Sequence, residues 1–377
     1  MYEVRCDDGQ IVAITDRDRQ TTARFHAVWL RDNAADDATR SSANGQRLIT
    51  ISDIPADLRV GATRIEDRDL IVDFLPEARS IRFDVPWLFA NRYDAQPERA
   101  RGWLADDTHL WDSGLSKDLP TASFDAVMHD DAILHGWLDD VARLGFAHLS
   151  GGPAEAGALF QVIDRFGYVR ETNYGRHFEV RTEINPSNLA YTGMALQAHT
   201  DNPYREPLPT LQILYCVESS AAGGDSMVVD GFKAAHRLRD ESPDWFDVLA
   251  DHCARFTYEG GKDVSLSARR PLIQLAPDGE LVGVSFNNRS AAATTDVPFD
   301  KMSLFYDAMR GFADIIDDPS MAVSFRLEPG ESFIVDNTRV LHARKGYSGS
   351  GTRWLQGAYA DMDGLLSRRR VLAQRGG

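Results

Sequence analysis

A His-x-Asp pair, His199-Thr200-Asp201, with a lone His342 far downstream, restricts this chain more than any other feature. Two imidazoles and one carboxylate are the facial ligand set that holds Fe(II) and leaves positions open for substrate and oxygen. Residues i and i+2 of an extended strand end point to the same side, so His199 and Asp201 can meet one ion. The third ligand must then come from another strand of the same barrel. Eleven residues after His342 stands Arg353, in Gly351-Thr352-Arg353-Trp354. A guanidinium there can grip a carboxylate through two parallel N–H bonds. Iron together with 2-oxoglutarate and O2 is the expectation. A His-x-Asp pair alone recurs by chance in many chains. Here the third histidine follows a strand-like run, Ser332 to Asp336, and closes another, Val340-Leu341-His342. His26, His129, His135, His148, His177, His236 and His252 lack such company and read as surface or satisfied core residues.

At 377 residues the chain is too long for one ordinary domain, and two are expected. Its 41 Lys+Arg against 57 Asp+Glu give a net charge of −16. That balance argues against nucleic acid and against an anionic membrane surface as partners. An anionic small molecule would need a local positive pocket working against the global field. Cys6, Cys216 and Cys253 show neither zinc spacing nor a disulfide framework, and the start Met-Tyr-Glu-Val-Arg has no apolar signal core, which together suit the cytoplasm.

Residues 1–95 read as a small N-terminal β domain. Ile11 to Ile14, Leu48 to Ile51 and Leu70 to Phe74 look like short strands, and Arg79 to Phe83 alternates with period two. Residues 96–377 form the second domain, and the charged stretch 88–120 reads as a linker. Amphipathic helices are expected over Asp130 to Leu144, Ala154 to Phe166, Gly231 to Ser242, Pro243 to Leu249 and 298–317. Strands are expected at Leu211 to Cys216, Ser226 to Asp230, Leu281 to Phe286, Phe333 to Val335, Val340 to Ala343 and Trp354 to Tyr359. Strands that gather His199, Asp201, His342 and Arg353 imply a closed, jelly-roll double sheet. The fold class is thus mainly β with flanking helices.

Several stretches are similar to a known family: Asn188-Leu-Ala-Tyr191, His199-Thr-Asp201, Gly223-Gly-Asp-Ser226, Phe286-Asn287-Asn288, Asn337-Thr-Arg-Val-Leu-His342 and Gln356-Gly-Ala-Tyr359-Ala-Asp361. They resemble the Fe(II)/2-oxoglutarate oxygenases of the taurine dioxygenase class, and within it the gamma-butyrobetaine dioxygenase group. Trp29-Leu-Arg-Asp-Asn33 resembles the start of that group's N-terminal domain. The resemblance implies a double-stranded β-helix, with His199, Asp201 and His342 as iron ligands. Arg353, helped by Ser226, would take the distal carboxylate of 2-oxoglutarate. It also implies an aromatic cage of Tyr174, Phe178, Tyr191 and Tyr359 for a trimethylammonium head, which can donate no hydrogen bond. Asn188, Asn287, Asn288 and Arg289 would complete the substrate pocket.

Three departures stand out. Where the group has zinc cysteines and a histidine, this chain has Ala34, Asp36, Thr39 and Arg79, so its N-terminal domain is expected to be held by its own core. A cage tryptophan becomes Phe178. Extra cations, Arg289 with Arg176 and His177, stand at the end that would hold the substrate's anion. They point to 2-(trimethylammonio)ethylphosphonate, hydroxylated at the carbon next to phosphorus in phosphonate catabolism, and the chain resembles the bacterial dioxygenases of that compound. Gamma-butyrobetaine, hydroxylated to carnitine, is the alternative. Halogenation is disfavoured by Asp201, and a non-enzymatic binding protein by the complete ligand set. The expected partner is a small zwitterion, with a homodimer left open.

Overall fold

The computed structural model describes residues 1–95, 98–181, 195–220, 223–260, 263–346 and 351–376. The chain divides into two compact units, Met1–Arg99 and Ala100–Gly377. In the first unit, two three-stranded antiparallel sheets carry the core: β1 (Tyr2–Asp7), β2 (Ile11–Asp16) and β3 (Thr21–His26), then β4 (Arg59–Glu66), β5 (Asp69–Leu75) and β6 (Arg79–Asp84). Short helices α1 (Ala27–Asp32) and α2 (Val85–Ala90) follow β3 and β6. Alternation decides the faces. Ile81 and Phe83 are buried while Ser80, Arg82 and Asp84 are exposed, and Ala23 and Phe25 stand to their neighbours in the same way. The inward residues meet in one cluster with Leu30, Leu70 and Phe74.

Of the positions that match zinc ligands in the resembling group, Asp36 and Arg79 form an ion pair here. Arg79 Nη2 donates to Asp36 Oδ2 at 2.6 Å, and Ala34 is fully buried in the apolar cluster. Arg31, only 2 % exposed, donates to both oxygens of Glu77 at 2.7 and 3.0 Å and to Thr39 Oγ1 at 3.0 Å. A two-pronged contact of this kind supplies the partners that a buried guanidinium requires.

The second unit is a double sheet. Its larger layer runs β7 (Thr121–Ser123), β8 (Phe146–Ser150), β18 (Ser332–Asp336), β11 (Leu211–Ser219), β20 (Arg353–Ala360), β9 (Phe178–Val180). The smaller runs β10 (Leu196–His199), β19 (Val340–Arg344), β12 (Ser226–Asp230), β17 (Ala322–Phe325). Phe146, Leu214, Cys216 and Phe333 of the larger layer pack with Val228, Val323 and Val340 of the smaller, which makes the filling of a jelly roll. Outside the larger layer lie α4 (Asp131–Leu144), α5 (Ala158–Asp164) and α9 (Met362–Gly376), against Leu211, Ile213, Tyr215 and Ala358, with α3 (Phe124–His129) beside them. Outside the smaller layer lie α6 (Gly231–Glu241), α7 (Pro243–Asp251) and α8 (Met302–Ile316), against Val229 and Leu341. Two hairpins, β13 (Cys253–Gly260) with β14 (Val264–Pro271) and β15 (Ile273–Leu275) with β16 (Leu281–Val284), complete the unit.

Local chemistry explains the element ends. Asp130 caps α4 by accepting from the N–H groups of Ala132 and Ile133, and Gly145 closes it with φ 73°, which favours glycine. Leu134, Trp137, Leu138 and Val141 are the buried stripe, while Ile133 turns outward and is 43 % exposed. At the start of α6, Asp230 accepts from Phe232 N and also holds Arg339 through two bonds of 3.0 and 2.8 Å, with both side chains almost fully buried. This pair anchors the turn just before β19, the strand that carries His342.

Three expectations change. Leu48 to Ile51 is not a strand; a 3-10 turn, Ile51–Asp53, follows Thr50, because three apolar residues around a threonine, without a paired strand, do not make an edge. The helix expected from Ala154 is shorter, Ala158–Asp164. Residues 100–120 belong to the second unit rather than to a linker, and Trp111 is buried there with its Nε1 donating to Leu144 O.

Candidate active site

His199 ends β10, and His342 faces it across the antiparallel pairing of β10 with β19. Their ring centroids lie 4.4 Å apart. Asp201 follows one residue beyond the strand, with Oδ1 3.4 Å from His199 Nε2 and Oδ2 3.9 Å from His342 Nε2. One ligand atom from each residue falls within 4.8 Å of the others. The backbone that presents them is fixed by side-chain amides. Asn337, fully buried, accepts from Asp201 N at 2.7 Å and donates to Asp201 O at 2.9 Å and Pro209 O at 2.8 Å. Asn287 donates to Thr200 O at 2.9 Å.

The ionisation states suit a divalent cation. His199 Nδ1 lies 2.7 Å from Gln197 O, and since a carbonyl only accepts, Nδ1 is the donor, which turns Nε2 toward Asp201. Burial pushes His342 down to about 3, helped by the neighbouring His199, so its imidazole is neutral. Burial resists ionisation of Asp201, yet the hydrogen bond with His199 and the charge of Arg289 hold its carboxyl well below the usual carboxylate range. Two imidazoles and one carboxylate are the donor set that Fe(II) takes, with positions left open.

These groups line a cavity of about 330 Å³. Alternation points the odd residues of β20 inward, so Arg353, Leu355 and Tyr359 face the cavity, while Ala358 and Ala360 face the helices. On β19 the same rule brings Arg344 in beside His342, and Arg344 stands in register with Ser226 of β12. Ser226 and Arg344 are 3 and 5 % exposed. Arg344, Arg353 and Ser226 thus all line the cavity, and the guanidinium groups are suited to a carboxylate.

An aromatic wall forms another side. Phe178 lies 5.2 Å from Tyr359 and 6.2 Å from Tyr174, between ring centroids. Tyr174 Oη meets Tyr204 Oη at 2.9 Å, and Tyr204 stacks on Tyr258 at 4.9 Å. Burial raises the phenol pKa values of Tyr174, Tyr204 and Tyr359, so all three stay protonated. Arg289 also lines the cavity, with Nη2 3.9 Å from Asp201 Oδ1.

Asn188 and Tyr191 lie outside the described residues. Asn287 lines the cavity but uses its amide on Thr200 and on Ser290 N. Asn288 does not line it; its Nδ2 donates to Gln197 Oε1 in an exposed turn, because neighbouring residues of the 3-10 segment Asn288–Ser290 project in different directions. Arg176 and His177 are likewise not at the cavity. Arg176 lies over the Phe160 ring at 5.0 Å, and His177 pairs with Glu179 at 3.1 Å, so of the three expected extra cations Arg289 alone lines the pocket. Gln212, Tyr204, Tyr258 and Arg344 line the cavity without having been expected. Tyr204 and Arg344 carried a signal, three residues from Asp201 and two from His342 on one strand face; Tyr258 carried none.

Residues 111–359 match the family model "Taurine catabolism dioxygenase TauD, TfdA family". The gamma-butyrobetaine dioxygenase of Pseudomonas sp. (strain AK-1) is 36 % identical over 349 residues, covering 92 % of this chain and 90 % of that one. The human gamma-butyrobetaine dioxygenase is 32 % identical over 360 residues, 93 % of this chain and 92 % of its own. The mitochondrial trimethyllysine dioxygenase of Rattus norvegicus is 27 % identical over 358 residues, 93 % of this chain and 83 % of its own. With that match, and with two imidazoles and a carboxylate converging inside a jelly roll, the chain belongs to the TauD, TfdA family of dioxygenases. It is an Fe(II)- and 2-oxoglutarate-dependent enzyme. No helix among the described residues is long and apolar enough to cross a membrane.

Proposed function

We propose that the chain hydroxylates a short zwitterion with a trimethylammonium head, and that gamma-butyrobetaine is its substrate. The observation that carries this reading is the aromatic wall of Tyr174, Phe178 and Tyr359 set in the same cavity as His199, Asp201 and His342. Relatives named for gamma-butyrobetaine, alike over nine-tenths of the chain, support it. In this assignment His199, Asp201 and His342 hold Fe(II), and Arg353 with Ser226 takes the distal carboxylate of 2-oxoglutarate. Bound there, the iron supplies the activation of O2 that hydroxylation needs, while 2-oxoglutarate leaves as succinate and CO2. Asn337 and Asn287 keep the Asp201 backbone in place. The ring faces attract the quaternary nitrogen, and Tyr191 and Asn188 join the pocket in the same assignment. With both ends of the zwitterion fixed, the methylene carbons between them lie toward the metal, which is catalysis by positioning.

A second reading rests on Arg289. A guanidinium at the cavity favours a more highly charged anion, and 2-(trimethylammonio)ethylphosphonate offers up to two charges and three acceptor oxygens in nearly the same length. A panel of both zwitterions and a primary-amine analogue, read as succinate and hydroxylated product, separates the readings. Gamma-butyrobetaine is expected to give the higher kcat/KM and the primary amine little turnover, because the ring faces offer no carbonyl or carboxylate acceptor to its N–H groups. A marked preference for the phosphonate would put the second reading first, and equal use of the primary amine would remove the cage. Arg289→Met sharpens the comparison. A charge-assisted hydrogen bond to a buried group contributes about 1.5–3 kcal/mol, so an anion that Arg289 grips should lose roughly tenfold to a hundredfold in kcat/KM. If the phosphonate loses no more than the carboxylate, Arg289 does not select between them.

A further inference from the structure

From Leu211 to Val217, β11 is an unbroken buried run, and every residue in it is apolar or aromatic except Gln212, which is 2 % exposed. Alternation turns Leu211, Ile213 and Tyr215 toward the helices, and Gln212 and Leu214 toward the cavity. Gln212 Nε2 donates to Asp201 Oδ2 at 2.7 Å. In the pairing of β11 with β20, Gln212 stands in register with Tyr359, whose Oη donates to that same oxygen at 2.8 Å. Since a carboxylate only accepts, it sets which way the amide faces. Gln212 Oε1 is buried and has no hydrogen-bond partner among the described residues. Leaving an acceptor so destabilises the fold, a cost that another leucine here would avoid. The contact with Asp201 is what the amide is there to make.

Each carboxylate oxygen has two acceptor sites, and the two donors fill those of Oδ2. Oδ1 is left toward His199 Nε2 at 3.4 Å. We propose that Gln212 is a positioning residue that acts with Tyr359 to hold Asp201 as a one-oxygen ligand through Oδ1. A carboxylate binding through both oxygens would occupy a coordination position that 2-oxoglutarate or O2 requires. Tyr359 thereby faces two ways: its ring toward the cage and its hydroxyl toward the ligand. The proposal rests on the assignment of Asp201 as a metal ligand, and the test separates the two.

The full chain is titrated with Co(II), whose visible absorption reports coordination number, and anaerobically with Fe(II). The parent is compared with Gln212→Leu, Gln212→Met, Tyr359→Phe, the double variant Gln212→Leu/Tyr359→Phe, and Asp201→Ala. Losing a hydrogen-bond partner of a metal ligand typically weakens metal affinity tenfold to a hundredfold. Gln212→Leu and Gln212→Met are each expected to fall in that range and to shift the Co(II) spectrum. The double variant should shift it further than either single change. The methionine variant, close to glutamine in shape, keeps the test alive if the leucine variant does not fold. If Asp201→Ala loses metal while both Gln212 variants keep the parent affinity and spectrum, the positioning role is overturned. If Asp201→Ala binds as the parent does, the ligand assignment beneath it falls, and the proposal with it.

Discussion

His199→Ala is expected to abolish tight Fe(II) binding and to take coupled hydroxylation to background. Three protein ligands are what holds the ion while leaving positions open, and removing one leaves an imidazole and a carboxylate that bind it weakly. His199 has no substitute nearby: among the described residues His199, Asp201 and His342 are the group of potential ligands found together. The effect is local, because Asn337 still ties the backbone of Asp201 to the carbonyl of Pro209. Anaerobic Fe(II) titration, with circular dichroism to show that the fold is kept, reads the result. A folded variant that hydroxylates at the parent rate would remove the iron assignment.

The second large effect is expected at Arg353. In Arg353→Met the distal carboxylate of 2-oxoglutarate would enter the cavity without its main cation. Truncating one partner of a buried, hydrogen-bonded charge pair costs about 2–5 kcal/mol, roughly thirtyfold to a few thousandfold in affinity. Arg344 also lines the cavity, and a second guanidinium there would place the loss toward the lower end of that range. The KM for 2-oxoglutarate should rise by that factor while the KM for the zwitterion changes little. 2-Oxopentanoate, which has no distal carboxylate, serves as the control, and the variant should discriminate against it far less than the parent does. An unchanged KM for 2-oxoglutarate in Arg353→Met would assign its grip elsewhere.

What could be read from the sequence was what covalent spacing dictates. His342 and Arg344 are two apart on β19, where period two places them on one face; His199 and Asp201 are also two apart, but Asp201 lies past the strand end and its backbone is held by Asn337. Arg353 needed the resemblance as well, since an arginine on a strand has many uses. Gln212 was not legible, because its meaning comes from register: it stands beside Tyr359 only after β11 and β20 have paired. Tyr258 reaches the site from a hairpin whose own sequence, Cys253–Gly260, shows only alternation. Asn287 and Asn288 are neighbours with the same side chain, and a short 3-10 segment sends one to the cavity and the other to Gln197. Arg176 and His177 misled for the complementary reason. Charge read along the chain gives no direction, and both turned to nearer partners, Phe160 and Glu179.

Asn337 joins pieces of chain far apart in sequence: its side chain closes on Asp201 and Pro209, and it lies on the turn between Asp336 and Val340 that leads into the His342 strand. None of those bonds involves a metal. These bonds between protein groups set the spacing of Asp201 from the turn that leads to His342, as a socket is shaped before the plug. Iron removed by a chelator is therefore expected to reload by diffusion and ligand exchange rather than by refolding, which adding Fe(II) back to a chelated sample would check by circular dichroism and by Fe(II) titration.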